Sequence, residues 1–410
     1  MKRLVIVASA LVLAAACGGS SSKNDAAGGS STTAGPKKVV IAVGGPFSGD
    51  DKATGDQIRA GAKLAASQIN AGGGITAGPL AGAQIQIDDG FDDTDLPQKA
   101  VDNIRKVVDD EKYMAFVGSG LSDGSVAAAP VASQAGLSYL AAYASSPKIL
   151  DGATALKSVF VVPPTFPAYA FSVADQLLKK GLRKPGILHA TGTYGDGVTD
   201  FFVERLKDKG VTPVANETFK FNDPDFTTQL GKIKAAGADS LVMVGLAPDD
   251  ALIVKQAGEQ VGLKVPVFDP GGITNSDSFL GVAGALANGV IGNSPTDAQR
   301  NTPAAVALRN AYTAATKESV VPDPAVFAYE GVQAVAAGFA DGASTRLDLS
   351  DHLHKISIAD TGVGPLRFAP DGSRVGGRLY IFQIQAGKPI FTTGYEQTGP
   401  KEVKEISLER

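Results

Sequence analysis

Met114-Ala115-Phe116-Val117-Gly118-Ser119-Gly120-Leu121-Ser122-Asp123-Gly124-Ser125 is the stretch whose reading decides the fold. Its four leading apolar residues read as a buried strand, the glycines break it, and a helix follows through Ala135. A strand that passes through a Gly-rich turn into a helix is one βα unit. The same rhythm runs in both directions from it. Upstream lie a strand at 38–43, a helix over 55–70, a strand at 84–88 and a helix to Asp109 with Pro97 in its first turn and Asp95 as its expected N-cap. Downstream comes a strand at 138–142. After Val162-Pro163-Pro164 the pattern restarts: helix 166–180, strand 185–189, helix 194–209, strand 212–218, helix 226–236, strand 240–245, helix 250–261 and strand 265–268. Helices near 303–316 and 324–338 and strands around 379–385 close the chain. Two runs of βα units joined by a Pro-rich crossing predict an α/β protein with two doubly wound parallel-sheet lobes.

The turn at 118–125 admits several chemistries. As G-x-G-x-x-x-G it is one residue too long for a dinucleotide fingerprint, and Ala141-Ala142 stand where an acid should end the next strand. As Gly120-Leu121-Ser122-Asp123-Gly124 it satisfies G-x-S-x-G, the elbow of a serine hydrolase with Ser122 as nucleophile. That reading needs a histidine, and only His189, His352 and His354 exist. As a bare helix N-terminus with the Ser122 and Ser125 hydroxyls, it suits a ligand carboxylate. A Gly-rich turn capped by serine is the structural alternative. Asp88-Asp89-Gly90-Phe91-Asp92-Asp93 lacks the spacing of a calcium loop and reads as a strand end and turn. His352 and His354, two apart on a helix, point away from each other, so no metal site is expected.

The N-terminus gives the address. Met1-Lys2-Arg3, an apolar run from Leu4 to Leu13 and Ala14-Ala15-Ala16 make an export signal. Cys17, the single cysteine in 410 residues, follows the small-residue triplet as the acylated cysteine of a bacterial lipoprotein does. Residues 18–38 are rich in Gly, Ser, Thr and Ala, the composition of a flexible tether. The mature chain is therefore expected outside the cytoplasmic membrane, held to the membrane by lipid. Roughly 370 residues remain, more than one core accommodates. No second thiol is available for a disulfide. Net charge moves from −4 to about −6 when Lys2 and Arg3 leave, which argues against nucleic acid. With no Trp and 7% aromatic residues, a surface of sugar-stacking rings is not expected.

Several blocks, in this order, carry a family resemblance: Gly45-Pro46-Phe47-Ser48-Gly49, AKLAASQINAGGGI (62–75), IDDGFDD (87–93), APVASQAGLSYLAAYASSP (129–147), YGDG (194–197), DFTTQLGKIKAAGADSLVMVG (225–245), KQAGEQVGL (255–263) and GPLRFAPDGSRVGGRLYIFQIQAGK (364–388). Together the chain from 38 to 388 resembles the branched-chain amino-acid-binding (leucine/isoleucine/valine-binding) proteins of ABC importers, which have the type I periplasmic-binding fold. The resemblance implies two lobes, 38–162 plus 295–376 and 163–294 plus 377–410, behind a signal peptide (1–16) and a lipidated tether (17–37). It implies three hinge crossings, near 162–164, 292–295 and 376–379. It also implies a monomer without catalytic step or cofactor, whose partners are a small solute and the permease subunits.

Carried over by position, Ser122 would hold the ligand carboxylate, with Ser145 and Tyr143 beside it and Tyr194 covering the ligand. Phe47, Ser48 and Thr54 would line the entrance. In the amino-acid binders an acid holds the ammonium group at the position of Gly271, and an aromatic stands just before Pro248. This chain has Gly271 and Leu246-Ala247 there. Either Asp269, Asp123 or Asp249 supplies the missing charge, or the ligand is a related carboxylate or amide rather than an α-amino acid. A ligand-sensing ectodomain for a membrane receptor is the alternative to a transporter component.

Overall fold

Lys38–Gly45 forms β1, buried along nearly its whole length as a central strand between two helix layers must be. The computed structural model of the protein describes residues 37–49, 51–151, 156–318 and 320–409. The export signal, Cys17 and residues 18–36 lie outside them.

The first sheet runs β2-β1-β3-β4-β5, with β2 (Gln84–Asp92), β3 (Tyr113–Val117), β4 (Tyr139–Ala141) and β5 (Val159–Val161), all parallel. Between its strands come α1 (Lys52–Ala71), α2 (Pro97–Asp109) and α3 (Ser122–Gln134). The chain then enters α4 (Phe166–Lys179), β6 (Pro185–Ala190), α5 (Thr193–Lys207), β7 (Ala215–Phe219), α6 (Thr227–Ala235), β8 (Ser240–Val244), α7 (Ala247–Gln256), β9 (Val267–Asp269), α8 (Asp277–Ala283) and β10 (Ile291–Ser294). It next supplies α9 (Pro303–Thr316), α10 (Asp323–Asp341), α11 (Leu349–Leu353) and the hairpin β11 (Arg367–Phe368) and β12 (Arg374–Val375). It ends in β13 (Arg378–Gln385), β14 (Lys388–Gly399) and β15 (Glu402–Ile406).

The second sheet runs β15-β14-β13-β10-β9-β8-β6-β7. Its β10-to-β7 half is parallel and repeats the 2-1-3-4-5 order of the first sheet, the doubly wound expectation. Three antiparallel strands extend it, of which β14 and β15 carry no run of apolar residues long enough to read from sequence.

Each sheet is covered on both faces. One face of the first packs Ile41, Val43, Ile58, Val326 and Phe327 under α1 and α10, and the other packs Ile104, Phe116, Ala128 and Tyr139 under α2 and α3. Full burial of a side chain such as Ile58 or Phe327 is worth about 1.5–3 kcal/mol. Gly61 sets the approach of α1 to α10, since a Cβ there would meet the Ala325 carbonyl oxygen at 1.9 Å. That contact fixes the N-terminal end of α10, where Asp323 stands.

Three local readings differ from the sequence. β2 continues through Asp92, past the expected turn, because a bulge between Ala42 and Gly44 keeps it in register with β1. Asp95 does not cap α2; it sits at φ 57° and Leu96 is the N-cap, without a side-chain bond. The helix expected over 250–261 begins at Ala247 and ends in a π turn, Ala257–Val261.

The crossings between the sheets are tied together. Arg374, 1% exposed, donates to Glu330 Oε2 at 2.5 Å and Oε1 at 2.8 Å, to the Val162 carbonyl at 2.8 Å and to the Pro365 carbonyl at 2.8 Å. Gln397 exchanges two hydrogen bonds with Thr165, at 3.0 and 2.9 Å. Asn293 donates to the Tyr169 carbonyl and to Ser172 Oγ, both at 2.9 Å.

Candidate ligand-binding site

In a 2-1-3-4-5 sheet the loops after strands 1 and 3 leave in opposite directions and open a crevice at the strand carboxyl ends. Both sheets present that crevice to one cavity. It holds about 540 Å³ of space unfilled by protein, part of it open to solvent. The first sheet contributes Gly120-Leu121-Ser122 after β3 and Tyr143-Ala144-Ser145 after β4. The second contributes Tyr194 on α5, Leu246 after β8 and Gly271 after β9. Phe166, Tyr169, Val198 and Asp323 complete the lining.

Ser122 is the first residue of α3, and its N-cap, Leu121, offers no side-chain bond to the helix N–H groups. Those groups stay free at the cavity wall with the positive end of the helix behind them, as an anion requires. The Ser122 hydroxyl, 4% exposed, makes no hydrogen bond among the described residues. Ser125 is turned away: its hydroxyl accepts from Tyr139 at 3.0 Å, so it is not part of this wall. Ser145 Oγ donates to the Tyr143 carbonyl at 3.1 Å.

Tyr194 Oη reaches the carbonyl oxygens of Gly271 at 3.3 Å and Gly245 at 3.4 Å, and its ring meets Phe166 edge-on at 5.9 Å. Burial, then the carboxyls of Asp269 and Asp250, hold the Tyr194 hydroxyl well above the usual tyrosine range, so it stays a donor. Gly271 leaves room for it: a Cβ there would lie 2.2 Å from Tyr194 Oη and 2.9 Å from Asp269 Oδ1.

Of the residues selected from sequence, Ser122, Tyr143, Ser145, Tyr194, Leu246 and Gly271 come together in this cavity. Five do not line it. Phe47 is 8% exposed, packs in the core beneath α1 and stacks under the Arg59 guanidinium at 3.9 Å. Ser48 is exposed and donates to Asp92 Oδ2 at 2.5 Å. Thr54 lies in the first turn of α1.

Asp269 is fully buried and accepts the N–H groups of Gly271 at 2.5 Å and of Ile273 and Thr274 at 3.1 Å, so its charge holds its own loop. Asp123, exposed in the first turn of α3, accepts the Thr193 hydroxyl at the start of α5, one sheet's helix bonding the other's. Asp249, weighed as a substitute acid, accepts the Asn222 N–H at 3.1 Å, and burial raises its carboxyl to about 6.

Sequence reasoning missed Phe166, Tyr169, Val198 and Asp323. The first two follow the Pro-rich crossing and read as the ordinary start of a helix. Asp323 opens α10 after Pro322, where an acid reads as helix-end stabilisation. It is half-buried and, among the described residues, the one carboxyl in the lining, with no Lys, Arg or His beside it there. Withdrawal from water raises it to about 8, against a hydrogen bond from Thr296 that lowers it. Its charge in turn pushes the Tyr143 and Tyr169 hydroxyls up, behind burial. Among the described residues no cluster of His, Cys, Asp and Glu could hold a metal.

Comparison with known proteins agrees with this geometry. The chain is 27% identical over 358 residues to the Leu/Ile/Val-binding protein homolog 3 of Brucella melitensis, covering 86% of this chain and 93% of that one. It is 26% identical over 340 residues to the leucine-, isoleucine-, valine-, threonine-, and alanine-binding protein of Pseudomonas aeruginosa, covering 82% and 86%. Among solved structures, the branched-chain amino acid transporter substrate-binding protein LivJ of Streptococcus pneumoniae, in complex with isoleucine, superposes with a TM-score of 0.76. It is 25% identical, over 90% of this chain and 99% of that one. A family model described as periplasmic binding protein matches residues 38–389, and with it the two-sheet fold and its shared cavity are accounted for: the chain belongs to the periplasmic binding protein family.

Proposed function

We propose that this protein is the extracytoplasmic solute-binding component of an ABC importer, and that it captures a small amino acid with an apolar side chain, of the branched-chain kind. The observation that carries this reading is the cavity: an apolar, tyrosine-rich chamber between two switch points, with free helix N–H groups and an unbonded serine hydroxyl on one wall. The ligand carboxylate sits at that wall, and its side chain lies against Phe166, Tyr169, Val198 and Leu246. The relatives named for leucine, isoleucine and valine, matched over most of their length, support the same class.

Lobes 38–162 plus 295–376 and 163–294 plus 377–410 close on the ligand by hinge motion at the tied crossings, and the closed form docks on the permease. Each histidine that a catalytic use of Ser122 would call on has another partner. His189 lies beside Asp196, His352 binds Asp341 at 2.8 Å, and His354 binds the Lys157 carbonyl at 3.0 Å. Cys17 carries the lipid that keeps the protein beside its permease; no described helix is long and apolar enough to cross a membrane.

Thermal unfolding with leucine, valine, phenylalanine, glutamate and benzoate tests the solute. A ligand at 100 times its Kd stabilises by about 2.7 kcal/mol, a rise of a few degrees in Tm. A rise with leucine or valine is expected; a rise with benzoate alone would overturn the amino-acid reading. Globomycin sensitivity tests the anchor, and soluble release unchanged by Cys17→Ser would refute it.

A further inference from the structure

A zwitterion needs a partner for each charge, and only its carboxylate has one so far. An ammonium group buried without a counter-charge is strongly disfavoured, by several kcal/mol. Every acid that could serve from the second sheet is spent or sealed. Gly271 has no side chain, and its would-be Cβ direction is filled by Tyr194 Oη. Asp269 is held by three backbone N–H groups. Asp249 binds Asn222 and lies outside the lining. Asp250 has two oxygens without a partner, yet it is fully buried beneath Gly245 and does not reach the cavity. From the first sheet, Asp123 is engaged by Thr193, and Asp51 and Asp95 hydrogen-bond each other outside the lining.

Asp323 remains. It lies on the cavity wall at the first position of a helix of 19 residues packed closely on α1, so its place is fixed by the core. Tyr143 and Tyr169 stand near it and feel its charge. Among the described residues no Lys, Arg or His lines the cavity with it.

We infer that Asp323 receives the cationic nitrogen of the ligand, so that the ligand lies between two helix N-termini, its carboxylate at α3 and its ammonium at the acid that opens α10. This rests on the amino-acid reading above and adds the residue that distinguishes an amino acid from the matching acid without nitrogen. Both charged ends are then recognised by elements packed on the first sheet. The second sheet brings Tyr194, Leu246 and Val198 as an apolar cover when the cleft closes. Burial that raises the Asp323 carboxyl has the same origin: the site withdraws a charge from water and leaves its partner to be brought by the ligand.

Calorimetry on the purified full-length protein tests this with leucine, valine, phenylalanine and glutamate. Their counterparts without nitrogen are 4-methylpentanoate, 3-methylbutanoate, 3-phenylpropanoate and glutarate. The wild type is expected to prefer its best amino acid over the matching acid by about 100-fold. Asp323→Asn should erase that preference, weakening the amino acid about 100-fold and leaving the matching acid within a few-fold. Asp323→Glu, which keeps the charge, should restore part of it. A melting temperature for Asp323→Asn no lower than that of the wild type separates lost recognition from lost fold. A wild type that prefers the amino acid, with an Asp323→Asn variant that prefers it equally, would overturn this inference and leave the proposed function standing. A wild type that binds only the acids without nitrogen would overturn both.

Discussion

Gly271 and Asp323 carry the specificity question at the scale of single residues, and each gives a prediction. At Gly271 the issue is space. Its Cβ would overlap Tyr194 Oη, so Gly271→Ala must displace the tyrosine that covers the cavity. Overpacking of this kind costs about 1–3 kcal/mol. In a Tyr194→Phe background the hydroxyl is gone and the same substitution should cost less, a coupling that a double-mutant cycle of melting and ligand affinity measures. Equal cost in both backgrounds would show that Tyr194 is not what Gly271 makes room for.

At Asp323 the issue is charge. The folded ligand-free protein keeps a proton on this carboxyl up to about pH 8, against an ordinary value of 3.8. Between those values the folded state binds more protons than the unfolded one, so stability from this group is full below pH 3.8 and is lost as the pH rises toward 8. Asp323→Asn should therefore melt higher than the wild type at pH 8 and equal it near pH 4. A variant that melts lower at pH 8 would mean that the carboxylate is already satisfied within the protein.

At the scale of elements, α3 and α5 meet N-terminus to N-terminus, one from each sheet, through the Thr193 hydroxyl and Asp123. An acid between two positive helix ends is stabilised by both, and a contact that joins the two sheets in this way would hold the proposed closed cleft shut. Asp123→Ala should leave the order of ligand preference unchanged and weaken every ligand about 3- to 10-fold, through faster release. Stopped-flow release rates read this directly, and a change in ligand order would instead place Asp123 on the ligand.

The sequence announced these helices because their apolar spacing and their Pro or Gly boundaries are local: α9 starts and stops where its pattern says, at Pro303 and Thr316. It did not announce β14 and β15, half-exposed strands that follow β13 through two tight hairpins but mix apolar and polar residues without a clear run. Asp95 misled for a related reason. Pro97 and Gln98 make a capping pattern, yet the bend at Thr94-Asp95 takes positive φ and leaves Leu96 as the N-cap.

For the whole molecule, the repeated 2-1-3-4-5 order explains both why the fold could be read early and why its site could be read only in part. Alternating βα units predict two doubly wound sheets, and the crevice at each switch point follows from topology. Ser122 was legible as the start of the helix after β3, whereas Tyr143, Ser145 and Tyr194 came by position from the family resemblance. Asp323 was not legible, since α10 arrives in the cavity from just over two hundred residues beyond β3 and packs there through Gly61, a contact no local pattern encodes. Arg374, Gln397 and Asn293 tie the chain together where it crosses between the two sheets.

A crystal structure of the protein grown with its preferred amino acid tests the account most directly. The account predicts the ligand carboxylate within hydrogen-bonding distance of Ser122 Oγ and the α3 N–H groups, its ammonium against Asp323, and Tyr194 closed over it. A ligand bound with its carboxylate away from α3, or with its ammonium facing no carboxylate of the first sheet's helices, would contradict it.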